Sequence, residues 1–397
     1  MRRLTLGAFA VIVAAALSSV ALAGGSSPNQ ANTITLGYAS GLTGAASAFD
    51  LPIYQAAKIA VADINRAGGV AGKKLRIISV DTQSKFTSGP AAAQQAIERG
   101  ANIIFSSCDY DFGGPAQRQA NKQKVIGLAC AGDPKMGRSG IGPLTYNFFP
   151  PAPAEAGSHA QYAINRGWKR AYMLVDSSIQ YSKKGCEYVE TAYKQIGGEI
   201  VAKDNFLNSD PTIAPQISRL RQQQRNVDVI LLCSYVPGVT TAIKQIRSSG
   251  IDLPMIGQIG ADGRTIVKGV PDLSNYYYAS IGLPLGGDPN KQVTRLGTRF
   301  RAAGGSDAAP DWAVVAGYSG VQMAAWALRQ SKGSTDPNVL SRILQRAKNV
   351  PLMWGNVTFS AKCHNPINAA VKFATVTNGK LSLTRPVKPS FVPPYKC

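Results

Sequence analysis

Ile34-Thr-Leu-Gly-Tyr-Ala-Ser-Gly-Leu-Thr-Gly44, with Ala60-Val-Ala-Asp-Ile-Asn-Arg-Ala-Gly-Gly-Val-Ala-Gly72 shortly after it, is the stretch from which the architecture follows. Ile34, Leu36 and Tyr38 alternate as one face of a strand, and the glycine-rich run to Gly44 reads as a loop. Ile53, Ala57, Ala60/Val61 and Ile64 then recur at helical spacing. Ala67-Gly68-Gly69 stops that helix by supplying the left-handed backbone that helix ends favour.

The same alternation continues outward. Leu75–Val80 predicts a strand, and Pro90–Arg99 a helix with Ser88 as cap and Gly100 as stop. Strands at Asn102–Ser107 and Lys124–Ala129 enclose a short helix around Ala116–Lys122. Strands that alternate with helices imply right-handed crossovers onto a parallel sheet. Tyr146-Asn-Phe-Phe-Pro-Pro151 breaks the rhythm, because proline does not continue a central strand.

Beyond it the pattern restarts: helix Ala154–Asn165, strand Ala171–Val175, helix Lys183–Ile196, strand Glu199–Lys203. Helix Ile213–Gln224, strand Val227–Cys233, helix Val239–Ser248 and strand Met255–Gly257 follow. Tyr276–Gly282 reads as a returning strand, before helices at Lys291–Ala302, Trp312–Arg329 and Pro337–Ala347. Val357/Phe359, Val371–Val376 and Leu381/Leu383 around Asn378-Gly379 read as a small antiparallel hairpin. The expectation is an α/β chain of two discontinuous, doubly wound lobes joined by a multi-strand hinge. Lobe one comprises residues 33–147 plus 279–353, and lobe two 148–278 plus 354–397. Loops at the carboxyl ends of such strands form the binding crevice.

At the N-terminus, Arg2 and Arg3 precede an apolar run from Leu4 to Leu22 that ends in Ala21-Leu22-Ala23. A basic start, an apolar centre and a small-residue end mark a secretory signal peptide, cleaved after Ala23, so the chain is expected in the periplasm. The remainder exceeds the ~250–300 residues at which one hydrophobic core stops growing, so two lobes are expected. Export permits disulfides among the six cysteines. Cys108 and Cys130 end consecutive predicted strands and form one expected pair. Cys363, in a late loop, pairs with the terminal Cys397. Cys186 and Cys233 are either free and buried or paired.

The chain has 43 Lys and Arg against 22 Asp and Glu, a formal net charge of +21. The basic residues are scattered, as at Arg219, Arg221 and Arg225 on one helix, without a nucleic-acid-binding motif. The charge therefore reads as solubility rather than nucleic-acid binding. The only histidines, His159 and His364, fit no nucleophile elbow and no metal spacing, and read as surface or capping residues. The Gly41–Gly44 loop lacks the lysine and serine of a phosphate loop. No catalytic site, cofactor or metal is expected. A carboxylate-based hydrolase is the alternative of another class, but no pair of acids stands out for it.

The Ile34–Gly44 and Ala60–Gly72 segments resemble the periplasmic branched-chain amino-acid-binding proteins of the type I periplasmic-binding fold. Similarity extends through Lys74–Asp81, Ser178–Gly185, Val227–Gly238 and Gly250–Gly263. The resemblance implies a monomeric receptor that captures a small solute between its lobes and presents it to an ABC permease in the inner membrane. A sensor feeding a signalling receptor is the alternative within binding proteins. It also implies ligand contacts from Phe49, from Asp109 and Tyr110 after the third strand, and from Cys130 and Ala131 after the fourth. Tyr181 and Tyr235 match ligand-contacting tyrosines. The family's ammonium-binding glutamate is absent: Ile259 stands in its place, and Asp262 is the nearest acid. Asp109 and Asp111 occupy the loop that receives a ligand carboxylate; an aspartate there repels the carboxylate, or needs protonation or a bridging cation. The altered clamp weakens leucine, isoleucine or valine as the ligand. The implied solute is an amino acid, an amide or an aromatic or polar solute, with an amide, urea-like, cationic or hydroxylated aromatic ligand at least as reasonable as a branched-chain amino acid.

Overall fold

A computed structural model describes residues 32–397; the signal-peptide reading of residues 1–23 lies outside them. Five strands form the first sheet: β1 (Thr33–Ser40), β2 (Lys74–Asp81), β3 (Ile103–Ser106), β4 (Ile126–Ala129) and β5 (Thr145–Asn147). Their order is β2-β1-β3-β4-β5, and every pairing is parallel. Connecting them are α1 (Ser47–Arg66), α2 (Gly89–Glu98) and α3 (Tyr110–Lys122).

A parallel sheet wound on both faces must be apolar on both, and successive residues here go to different cores. Ile34, Leu36, Ile103 and Phe105 face α1, while Ala39 and Ile104 face Ala92, Ala93 and Ala96 of α2 and Ala116 and Ala120 of α3.

Helix α4 (Ala152–Asn165) opens the second unit, followed by β6 (Arg170–Asp176), α5 (Gln180–Gln195) and β7 (Glu199–Phe206). Then come α6 (Ala214–Gln223), β8 (Val229–Cys233), α7 (Gly238–Ser248), β9 (Met255–Gly257), α8 (Gly263–Gly269) and β10 (Tyr276–Ser280). The second sheet runs β14-β13-β10-β9-β8-β6-β7. It is parallel except for its end, where β13 (Lys372–Thr377) pairs antiparallel with both β10 and β14 (Lys380–Leu383). Again the faces alternate: Met173, Leu231 and Cys233 enter one core, and Tyr172, Ile230 and Leu232 the other.

The remaining helices are α9 (Lys291–Ala302), α10 (Asp311–Gln330) and α11 (Pro337–Leu344). Helix α10 lies on α1, where a Cβ at Gly317 would collide with the Ile53 carbonyl.

Several local expectations are corrected. Ser88 does not cap α2: it ends a 3-10 turn with helical backbone and makes no capping bond. Helix α3 begins at Tyr110, well before Ala116, because the Asp109 side chain accepts from the amides of Asp111 and Phe112. Val357 belongs to a separate two-residue pairing, β11 (Val350–Pro351) with β12 (Asn356–Val357), and Phe359 lies outside the strands. Both histidines are buried rather than on the surface.

All six cysteines are paired. Cys108–Cys130 joins the ends of neighbouring strands, Cys363–Cys397 holds the C-terminal tail, and Cys186–Cys233 links α5 to β8. That last pair closes the alternative the sequence left open. The packing of α10 on α1 is testable at Gly317. The Gly317→Val protein should lose about 1–3 kcal/mol of unfolding free energy, the usual cost of overpacking. Urea melts read this directly, and an unchanged midpoint would show that the two helices have room to spare.

Candidate functional site

Loops at the carboxyl ends of both sheets converge on one cavity, and buried carboxylates fix their shapes. Asp50, in the first turn of α1, accepts from the amides of Gly41 at 2.8 Å and Cys108 at 3.1 Å, tying the β1 loop to the β3 loop. Asp109 caps α3 with bonds of 2.8 and 3.2 Å. In the second unit Asp176 accepts from Ser178 N–H, from the Ser234 hydroxyl and from Asn208 Nδ2. The units also bond to each other: Asp111 accepts from the Gln180 amide at 3.0 Å, and Asp262 accepts from the Trp312 amide at 3.1 Å.

The cavity between these loops has a volume of about 470 Å³ including its mouth. Phe49, Phe149 and Trp312 form one continuous wall, with the indole 5.9 Å from Phe49 and 5.7 Å from Phe149. Tyr181, in the first turn of α5, and Tyr235, after β8, come from the second sheet's side, and Ile179, Val236 and Ile259 also line the cavity. Asp109 is the one carboxylate residue among the lining residues. The cavity shares Tyr235 and Val236 with a wider vestibule lined by residues such as Ser47, Gln55, Asn208 and Thr265.

Of the residues expected at the site, Phe49, Asp109, Tyr181 and Tyr235 line the cavity, while Tyr110, Cys130, Ala131 and Asp262 do not. Tyr110 turns away, with Arg118 and Lys135 lying over its ring. The Cys130 sulfur is committed to its disulfide, and both the amide and the carbonyl of Ala131 are taken by the Asn147 side chain. Asp262 is buried as the cap of α8.

Three residues escaped the sequence reading: Phe149, Trp312 and Glu155. Glu155 is 1% exposed and sits one layer behind the cavity. Its carboxylate accepts from the Ile259 amide at 2.7 Å and from the Tyr181 hydroxyl at 3.2 Å, and that hydroxyl in turn accepts from the Gly260 amide. An acid is therefore present behind Ile259 after all, contributed by α4 instead of by the loop that follows β9. Its signal was a lone acid in the first turn of an otherwise alanine-rich helix.

Burial in this water-poor region raises the carboxyls of Asp50, Asp109 and Glu155 to about 7, with Asp111 adding to the shift at Asp109. Burial likewise raises Asp262 to about 6, and raises Asp311, where Asp262 adds to the effect. Burial lowers His159 and His364 to about 4. Among the described residues no cluster of His, Cys, Asp and Glu is arranged to hold a metal.

Two lobes of this topology, meeting at a crevice between carboxyl-terminal loops, match a known family over residues 33–380. The chain is a member of the periplasmic binding protein family. Members of this family are solute-binding proteins. The Leu/Ile/Val-binding protein of Escherichia coli is 21% identical over 208 residues, or 52% of this chain and 56% of that protein. The match thus spans little more than half the length of that relative.

The branched-chain amino-acid substrate-binding protein LivJ of Streptococcus pneumoniae, solved with isoleucine, superposes with a TM-score of 0.77 at 21% identity. It covers 90% of this chain and 100% of its own. A solute-binding protein of Rhodopseudomonas palustris, solved with 3,4-dihydroxybenzoic acid, gives 0.71 at 18% identity, covering 90% and 99%. These likenesses show the type I periplasmic-binding fold. No helix of the described residues is long and apolar enough to cross a membrane.

The buried acids set a pH dependence. A carboxyl whose pKa is raised on folding stabilises the fold when protonated, and that stability is lost as pH rises through the folded value. Burial of the two histidines acts the other way, but only below their unfolded value near 6.5. The ligand-free protein should therefore gain a few degrees of melting temperature from pH 8 to pH 6.5, and Glu155→Gln should reduce the gain. A melting temperature that falls over this window would contradict the assignment of these carboxyls as buried and raised.

Proposed function

We propose that this chain is the periplasmic solute-binding component of an ABC importer of the branched-chain amino-acid and amide type. It captures one small solute between its lobes and carries out no chemistry on it. The observation that supports this most directly is the cavity itself: aromatic walls from both sheets, bridged by the Asp111–Gln180 and Asp262–Trp312 bonds. Those bonds join loops that separate when such lobes rotate apart, as hinge closure requires. On this reading lobe one is residues 33–147 plus 279–353 and lobe two is 148–278 plus 354–397. Strands β1–β5 then fall in lobe one and β6–β9, β13 and β14 in lobe two, which supports the reading, while its bounds cut β10 and separate β11 from β12. The chain acts as a monomer, exported with cleavage after Ala23, and its closed form is what the permease recognises.

Ligand contact falls to Phe49, Asp109, Tyr181 and Tyr235, joined by Phe149 and Trp312. Loss of an aromatic contact costs about 0.5–1.5 kcal/mol beyond the lost burial. Tyr181 also fixes Gly260 and Glu155, so Tyr181→Ala should weaken the ligand by tenfold or more in calorimetric titration. A thermal-shift screen over amino acids, amides, polyamines and aromatic acids identifies that ligand, because a solute that binds only the folded form raises its melting temperature. Small-angle scattering should then show a smaller radius of gyration at saturation. Turnover of the bound solute, abolished by Trp312→Ala, would refute the proposal.

A further inference from the structure

We infer that the solute is an organic cation: an ammonium group on an aromatic or apolar body, with no carboxylate. The inference rests on reading the cavity as a receptor site and concerns the charge of what enters it.

The first support is how charge is sorted. The sequence holds about two basic residues for every acidic one, yet neither a lysine nor an arginine is among the residues lining the cavity or its vestibule. The vestibule walls carry no charged side chain of either sign. The cavity lining includes one carboxylate residue, Asp109, and no basic residue.

The second support is the commitment of the loop amides. A ligand carboxylate bound without a cation needs several free N–H donors converging on it. Here the Asp111 and Phe112 amides are taken by Asp109, those of Gly41 and Cys108 by Asp50, and that of Gln180 by Asp111. Gly260 donates to Tyr181, and Ile259 to Glu155. The buried Trp312 indole Nε1 is left without a partner. It is neutral, and suits an ether, carbonyl or hydroxyl oxygen on the ligand.

The third support is the wall. Phe49, Phe149 and Trp312 stand together on one side and Tyr181 and Tyr235 on the other, with a carboxylate beside them. Aromatic faces attract a cation, most strongly at tryptophan, and the attraction grows when water is excluded. An ammonium group here meets ring faces and Asp109 together. It also gives the buried carboxyl the counter-charge that its surroundings lack.

Calorimetry at pH 8 with 2-phenylethylammonium, 2-phenylethanol, phenylacetate and leucine tests the inference, since the first three share a ring and chain and differ in charge. The ammonium ion should bind at least tenfold tighter than the alcohol, and phenylacetate and leucine should give no measurable heat. Asp109→Asn keeps a good helix cap, so the fold is retained. It should narrow the preference for ammonium over alcohol to less than threefold. Phenylacetate or leucine binding as tightly as the ammonium ion, an unchanged preference in Asp109→Asn, or no binding by any of the four overturns the inference. Compaction by an anionic or zwitterionic solute would remove the cation and leave the receptor reading standing. A failure of every solute class to stabilise or compact the protein would remove both.

Discussion

The pairing of short buried carboxylates with loop amides is the constraint on which the rest of the structure depends. Asp50, Asp109, Glu155, Asp176, Asp262 and Asp311 all lie at 7% exposure or less, and each accepts at least one backbone N–H from a loop or from the first turn of a helix. An ionised carboxylate taken out of water is costly unless hydrogen bonds replace its hydration. The loop amides do this, and each acid in turn fixes the backbone it binds. Where one acid serves two loops, as Asp50 does for those after β1 and β3, it sets their separation as well.

This arrangement has a consequence for recognition. Helix N-termini and the loops before them are natural anion sites, because their amides point outward unpaired. In this crevice the protein's own acids occupy those positions. The same residues that make the loops rigid thereby occupy several donors a ligand carboxylate could use, leaving aromatic faces and the largely buried Asp109. Rigidity and selectivity share a cause.

The disulfides act on a different scale. Cys108–Cys130 joins two adjacent strand ends beneath the cavity, where Cys108 is itself a lining residue. Cys186–Cys233 ties α5, whose first turn carries Tyr181, to β8, after which Tyr235 follows. Cys363–Cys397 pins the tail, and Lys396 also accepts from the Ser139 hydroxyl through its carbonyl. Of the three, only Cys108–Cys130 reaches the cavity lining, and the walls are left to aromatic side chains.

The sequence by itself determined the alternation of strands and helices and two of the cysteine pairs. It did so because hydrophobic period, proline and glycine act over a few residues. It also placed Phe49, Tyr181 and Tyr235 at the crevice, since position after a strand is a local property, although Phe49 and Tyr181 stand in the first turns of helices and not in loops. Only the tertiary structure decided what each side chain does there. Asp109 was legible as an acid in a loop, but its role as cap to a helix that begins earlier than the apolar pattern indicates depends on backbone geometry. Glu155 lies 104 residues from the Ile259 amide it holds, and Trp312 lies 50 from the Asp262 that holds its amide. Pairings at such distances leave no local signature, because each partner alone looks like an ordinary residue at the start of a helix. Folding brings them together, and the cavity's charge follows from those meetings.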